Sequence, residues 1–241
     1  MQRKYLIIST IAVLLSFAGG FLVANAINRG ELDRSKGELE RLKAANTSDR
    51  SDLTPEEIDQ KIAEADRDPS NIKYQKDLGT AFYRYAAMRQ DTNILAKAVK
   101  LLERAAAAQP DDRDLQVTLG NAYFDLGYFG QDKSAFERAR PFYRRALAIG
   151  PADAEVRTDL GLTFFLADPP DASQAIAEFQ TALKTDPRNE KALEFLTQAY
   201  LKQNDRAAAT ATLEKLKSIN PTSATAVELS KLIADGPPST K

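Results

Sequence analysis

The chain lacks the side chains that carry most nucleophilic and metal chemistry, because none of its 241 residues is His or Cys. Without imidazole or thiol there is no Ser-His-Asp or Cys-His arrangement, no thiolate ligand and no haem-attachment motif. Gly127 and Gly130 are not followed by the Lys-Ser or Lys-Thr pair of a phosphate-binding loop. We therefore expect a protein that is not an enzyme and that has no cofactor and no metal site.

Carboxylates are the remaining candidates for catalysis, because the chain has 34 Asp and Glu residues. A pair of them could act as acid and base, as in glycoside hydrolysis. Acidic residues spread along amphipathic helices usually form a solvated face instead. The 33 Lys and Arg residues leave a net charge of −1, whereas a nucleic-acid-binding domain is strongly basic. We expect no nucleic-acid partner.

An internal repeat organises the middle of the chain. A Leu-Gly pair recurs at Leu78-Gly79, Leu119-Gly120 and Leu160-Gly161. An aromatic residue stands three positions after the glycine place in four units, at Phe82, Tyr123, Phe164 and Tyr200. The prolines that close the units lie 41, 41, 36 and 34 residues apart, at Pro69, Pro110, Pro151, Pro187 and Pro221. Periods of this length are typical of stacked helical or mixed units that bury their cores against their neighbours.

Each repeated residue type predicts a part of a helix pair. Leu78 and Phe82 stand at i and i+4, so they share one face of a first helix. Ala98 and Ala105, seven residues apart, belong to a second helix. Glycine and alanine at these places allow two helix backbones to approach closely. Proline then ends the second helix or begins the next.

These units resemble tetratricopeptide repeats, over about residues 70–221. The resemblance implies an all-α fold, namely a right-handed α-solenoid of about four helix pairs with capping helices. Unit four departs from the pattern, with Leu196-Thr197 in place of Leu-Gly. Units one and two carry seven extra residues between their helices, in 84–94 and 125–135, where Asp91 and Asp132 are candidate helix caps. We expect longer helices there.

The resemblance also implies a partner-binding groove lined by the first helix of each unit, and a protein or peptide as its partner. The residues that it places in the groove are Lys76, Tyr83, Val117, Asn121, Phe124, Leu162, Phe165 and Leu201. The alternative is that the aromatic members pack between repeats. Lys76 and Asn121 match parts of a family clamp for acidic tails, but Glu155 and Asp159 would repel a carboxylate, so we exclude that clamp.

The ends of the repeat region carry capping signals. Thr54 reads as an N-cap, followed by Pro55 and two acidic residues, which predicts a helix to about Asp66. Residues 222–234 predict a final helix. The expected domains are a transmembrane anchor or signal peptide (1–28), a charged helical spacer and hinge (29–52), the repeat domain (53–235) and a flexible tail (236–241).

The N-terminal segment predicts a membrane anchor. No charged side chain occurs from Tyr5 to Asn28, and Leu6–Val23 is almost wholly apolar, which is long enough to span a bilayer. Arg3 and Lys4 precede it, so we expect a cytoplasmic N-terminus and an extracytoplasmic repeat domain at a bacterial-type inner membrane. The alternative is a signal peptide cleaved after Ala26.

Together these patterns predict a membrane-anchored, non-catalytic scaffold that binds partner proteins on the periplasmic side during assembly of envelope or membrane complexes. Two alternatives stay open. The order of anchor, spacer and repeats is similar to that of the repeat subunits of cytochrome c maturation, which hold an apoprotein. The second alternative is that the chain is a structural subunit of a larger membrane complex.

Overall fold

The computed structural model describes residues 53–235, which form ten α-helices and contain no strand. This part of the chain is therefore all-α, as the repeat pattern predicts. In chain order the helices are α1 (Pro55–Arg67), α2 (Ile72–Arg89), α3 (Thr92–Ala108), α4 (Arg113–Phe129), α5 (Lys133–Ile149), α6 (Ala154–Phe165), α7 (Ala172–Thr185), α8 (Glu190–Lys202), α9 (Arg206–Ile219) and α10 (Ala224–Asp235).

The predicted anchor, spacer and tail lie outside the described residues. Between residues 53 and 235, no helix combines the length and the apolar character that crossing a bilayer requires. The described residues divide into two compact units, 53–104 and 105–235.

Polar side chains start the helices by accepting hydrogen bonds from first-turn N–H groups, which have no partner within the helix. At α1 the Glu57 backbone N–H donates to Thr54 Oγ1 (3.2 Å) and the Thr54 N–H to Glu57 Oε2 (2.8 Å), which confirms the predicted cap. Asp91 and Asp132 cap α3 and α5, as predicted. The final helix begins at Ala224, two residues later than predicted.

In residues 53–104 a buried glutamine ties α1 to α2. Gln75 is fully buried, and its Nε2 donates to the backbone oxygen of Ala65 at 2.7 Å. That oxygen lies in the last turn of α1, where its ordinary helical donor would be the nitrogen of Pro69, which carries no hydrogen. Arg104 Nη1 also donates to Asp66 Oδ1 at 2.5 Å.

In residues 105–235 three helix pairs, α4/α5, α6/α7 and α8/α9, stack in chain order, and α10 packs beside the last pair. Each second helix contacts the first helix of its own pair and the first helix that follows it in sequence. Among the first helices, α8 also contacts both α6 and α10. The first helices α6, α8 and α10 therefore share one side of this unit. The right-handed winding stays a prediction.

Close contact between a glycine and an aromatic ring joins the helices within two of these pairs. A Cβ atom added to Gly120 would lie 2.8 Å from two carbons of the Tyr143 ring. One added to Gly161 would lie 2.6 Å from Cε1 of Phe179. Both rings are completely buried, so they fill the space that the missing side chain leaves. The recurring glycine therefore sets how closely the paired helices approach.

The inserts in units one and two lengthen their first helices. α2 has 18 residues and α4 has 17, whereas α6 has 12 and α8 has 13. At 1.5 Å per residue, the five extra residues of α4 extend it about 7.5 Å further than α6. The added turn ends in Tyr128 and Phe129, whose rings meet edge to face at 5.5 Å. This confirms the expected longer helices.

Non-glycine residues adopt left-handed backbone conformations at three turns within helix pairs, with φ of 56° at Gln90, 54° at Gln131 and 61° at Asn204. Such a residue reverses the chain quickly at the end of a helix, and glycine is the residue that usually supplies it. The first, second and fourth helix pairs therefore each have a left-handed residue in the turn between their helices. The third pair instead turns through a longer segment that contains Pro169 and Pro170.

The substitution Gly161→Ala should destabilise the protein, because its methyl group would enter the buried ring of Phe179. Overpacking of this kind typically destabilises a protein by about 1–3 kcal/mol. The higher helix propensity of alanine offsets roughly 1 kcal/mol of that loss. We expect a lower thermal midpoint, measured by circular dichroism. The matched control is Gly130→Ala, at an exposed end of α4 with φ −80°, which should leave the midpoint unchanged or raise it. Equal midpoints for Gly161→Ala and the wild type would contradict the contact.

Candidate partner-binding surface

A repeated stripe of side chains marks the face that the first helices present in residues 105–235. The stripe follows the i, i+4, i+7 spacing, so its three members lie on one side of each helix. Because the triplets fall 41 and then 36 residues apart, they take equivalent places in successive repeats. We call this set the first-helix stripe: Val117, Asn121 and Phe124 on α4, Thr158, Leu162 and Phe165 on α6, and Glu194, Gln198 and Leu201 on α8.

The burial of the stripe differs from helix to helix. On α6 all three members are buried, with exposures of 0% for Thr158, 1% for Leu162 and 3% for Phe165. On α4 only Phe124 is buried, while Val117 and Asn121 are half-buried. On α8 all three members are half-buried. The stripe therefore exposes more of its side chains on α4 and α8 than on α6.

Two of the predicted groove aromatics make packing contacts. The Phe124 ring meets the Phe136 ring of α5 edge to face at 5.2 Å. The Phe165 ring meets Phe195 of α8 in the same way at 5.6 Å, which joins the third repeat to the fourth. The Phe165 contact supports the alternative in which the aromatic residues pack between repeats, whereas Phe124 packs within its own helix pair.

Of the other six predicted groove residues, Leu162 is buried and five are more accessible. Val117, Asn121 and Leu201 are half-buried in residues 105–235, and Lys76 and Tyr83 are half-buried on α2 in residues 53–104. Asn121 Oδ1 accepts a hydrogen bond from the Tyr143 hydroxyl at 2.8 Å, so its side chain is oriented by the repeat itself. A partner-binding role for the eight residues stays a prediction.

Polar contacts join the first helices of the third and fourth repeats. Lys191 Nζ donates to Asp159 Oδ1 at 2.5 Å, and both side chains are largely buried. Asn189 Nδ2 donates to Glu155 Oε1 at 3.0 Å. Asp159, one of the two acidic residues expected to repel a carboxylate, is thus neutralised by an ion pair that the sequence pattern did not indicate.

Glu194 is the one ionisable residue of the first-helix stripe, and its pKa is strongly shifted. Burial raises its pKa to about 7, and the charge of Glu190 adds to this effect. A hydrogen bond with Thr225 of α10 acts in the opposite direction, because it stabilises the carboxylate. Near neutral pH this side chain therefore exists in both protonation states, and its neutral form can donate a hydrogen bond.

The end of α8 brings together two donor groups and an aromatic ring. Nε2 of Gln198 is buried and has no hydrogen-bond partner. One turn further on, the Lys202 ammonium lies 4.2 Å from the centre of the Phe165 ring. Burial lowers the pKa of Lys202.

Family models of the tetratricopeptide repeat match residues 91–154 and residues 169–232, which together include six of the helices described above. The helix pairs of this chain are tetratricopeptide repeats (TPRs). This confirms the family that the Leu-Gly pairs and closing prolines predict. No curated protein sequence is significantly similar to the chain.

Solved structures share this fold. The chain is similar to YrrB, a TPR protein with an unusual peptide-binding site, at 21% identity and a TM-score of 0.60, over 86% of this chain and 90% of that one. It is also similar to MamA 41-end from Desulfovibrio magneticus RS-1, at 17% identity and a TM-score of 0.57, over 80% and 96% of the two chains. A further MamA structure matches at 18% identity and a TM-score of 0.53, over 87% and 98%. At these identities the likeness shows the fold alone.

Several residues of this TPR face were missing from the sequence-based prediction, namely Glu194, Gln198 and Lys202. The register could have found Gln198, because it follows Leu196-Thr197 as Asn121 follows Leu119-Gly120. The sequence gives no sign that the Gln198 amide nitrogen lacks a hydrogen-bond partner. Nor does it indicate that the Lys202 ammonium lies over a ring from another repeat, because both features depend on tertiary packing.

The raised pKa of Glu194 should make the stability of the protein depend on pH. The folded protein holds this proton up to about pH 7, whereas the unfolded chain releases it near the ordinary glutamate pKa of 4.5, so the free energy of unfolding should fall as pH rises between these values. Glu194→Gln should remove this loss and stabilise the protein by roughly 1–3 kcal/mol near pH 8, with no gain below the unfolded pKa.

Urea midpoints measured across this pH range for the wild type and the variant would check the effect. The matched control is Glu214→Gln on the exposed face of α9, which should follow the wild-type pH profile. Parallel profiles for the wild type and Glu194→Gln would contradict the assignment.

Proposed function

We propose that this TPR chain is a non-catalytic scaffold that binds a protein or peptide partner along its first helices. Stacked repeats of this class generally serve protein–protein interaction through the extended surface that the stack creates. The observation that carries the proposal is the half-buried stripe on α4 and α8, where Val117 and Leu201 offer apolar contacts beside the amide groups of Asn121 and Gln198. Apolar anchors among polar groups favour binding of a polypeptide segment.

Further support comes from the chemistry of the chain and from a structural neighbour. The absence of His and Cys removes the usual nucleophiles and bases of an enzyme site. YrrB, which shares the fold, has a peptide-binding site. Part of our proposal is that this chain also holds a peptide segment on its repeats, in contact with the residues of its own first-helix stripe.

We propose further that the apolar segment Leu6–Val23 anchors the protein in a bacterial-type inner membrane, with the repeats on the extracytoplasmic side. The support is the length of the uncharged segment and the basic residues Arg3 and Lys4 before it. A tethered scaffold in this location would hold a partner near the membrane during assembly of an envelope or membrane complex.

Site-specific photocrosslinking tests the binding surface. A photoreactive residue placed at Val117 or at Leu201 of the full chain, expressed in bacterial membranes, should yield a crosslinked partner identifiable by mass spectrometry. The matched control is the same photoreactive residue at Ala148, an exposed position on the second helix α5. Crosslinks at Ala148 alone, or at none of these positions, would overturn the proposed surface.

The mass and extraction behaviour of the mature protein test the anchor. We expect the intact mass to include residues 1–26 and the protein to resist alkaline carbonate extraction, because an apolar span of this length inserts stably. Protease added to spheroplasts should digest the repeat domain. A mature protein that begins at Ile27, or one that carbonate releases, would contradict the anchor.

A further inference from the structure

The last described helix, α10, has a packed side and an open side. On the packed side Ala226 and Leu229 are almost completely buried, in a cluster that contains Leu193 of α8 and Leu213 of α9. The first helices α4, α6 and α8 each pack against a second helix that follows them. In the part of the chain that the structure describes, α10 has no second helix of its own.

The open side of α10 exposes two large apolar side chains. Val227 is 53% exposed and Leu232 is 50% exposed. Among residues 53–235 the other exposed large apolar side chains are Met88 and Ile149, which lie singly on α2 and α5. Exposed apolar residues scattered singly are ordinary, whereas two on one short helix indicate a surface that another molecule covers.

Two charges of opposite sign lie between these apolar side chains. Glu228 and Lys231 are three residues apart, so they stand about 60° from each other around the helix, with Val227 on one flank and Leu232 on the other. We call these four residues the outer face of α10. Neither charged side chain forms an ion pair with another residue of the range 53–235.

The order of residues on the outer face is self-complementary. When a second copy of the helix lies antiparallel, across a two-fold axis through the middle of the face, Val227 of each copy meets Leu232 of the other. The same operation sets each Glu228 against Lys231 of the other copy. A parallel arrangement would place the two Glu228 carboxylates side by side, and like charges oppose such a contact.

We infer that the outer face of α10 is a self-association surface, on which a second copy of this chain docks antiparallel. The charge pattern selects this occupant, because the face already carries the complement of each of its own residues. Both apolar contacts and both ion pairs occur twice in such a dimer, as in any interface with two-fold symmetry. The inference does not depend on the proposed partner-binding role, since it uses no residue of the first-helix stripe.

The size of the surface predicts a weak dimer. α10 has 12 residues and is therefore about 18 Å long. One such helix pair buries less than the roughly 1,200–2,000 Å² of a stable interface. We expect self-association that depends on protein concentration, and the proposed membrane anchor would promote it by confining the chains to one surface.

Sedimentation equilibrium of the purified full chain, in detergent matched in density to the solvent, tests the surface. We expect the wild type to associate reversibly into dimers. Glu228→Lys and Lys231→Glu should each weaken the dimer tenfold or more, because each change places like charges opposite one another at two points.

A 1:1 mixture of Glu228→Lys and Lys231→Glu should associate about as tightly as the wild type. In the mixed dimer every lysine of one copy faces a glutamate of the other, so both ion pairs return. Mixing cannot repair a contact within a single α10 helix. The mixture therefore separates contact between chains from a structural role of these charges inside one chain.

The apolar contacts have their own variant and controls. Val227→Asp should also weaken the dimer tenfold or more. Met88→Asp changes an exposed apolar residue on α2, and Lys215→Glu reverses an exposed charge on α9, so both should dimerise like the wild type. Circular dichroism melts verify folding, and the charge variants decide the question if Val227→Asp unfolds.

Three results would each overturn the surface. They are a wild type that stays monomeric at the highest concentration reached, single charge variants that dimerise like the wild type, and a mixture that associates no more tightly than its components. The scaffold proposal has a separate test, because crosslinking at Val117 and Leu201 concerns other residues and another molecule.

Discussion

The close approach of two helices across a glycine is the constraint on which the repeat stack depends. At Gly161 and Gly120 the missing side chain leaves room for the rings of Phe179 and Tyr143, which fill it completely. The contact sets the separation of the paired helices, because no larger residue fits without displacing a buried ring. Once the pair is fixed, its second helix presents a defined surface to the next first helix, and the stack can extend.

The same geometry decides which side chains remain for a partner. In residues 105–235 the first helix α8 contacts both α6 and α10, so side chains between these helices take part in packing and in pairs such as Lys191 with Asp159. Phe165 shows this, since its ring contacts the Phe195 ring of the next repeat and also lies beneath the Lys202 ammonium. A side chain that joins two repeats can therefore also orient a charged group on the first-helix face.

The repeat pattern in the sequence predicted the helix pairs, the Thr54 cap and the glycine contacts, because these depend on residues near each other in the chain or on a recurring register. Burial of Phe165 could not be predicted in the same way. Its exposure depends on how closely α8 approaches α6, which local patterns do not encode. The raised pKa of Glu194 and the orphan amide of Gln198 likewise arise from the tertiary surroundings of side chains that look ordinary in the sequence.

The unequal lengths of the first helices have a consequence for any chain that binds along them. In an array of identical repeats, a bound polypeptide can shift by one repeat and find the same contacts again. Here α4 extends five residues beyond the length of α6 and ends in Tyr128 and Phe129. Within residues 105–235 that overhang breaks the translational symmetry of the array, so a ligand that contacts it there is held in one register.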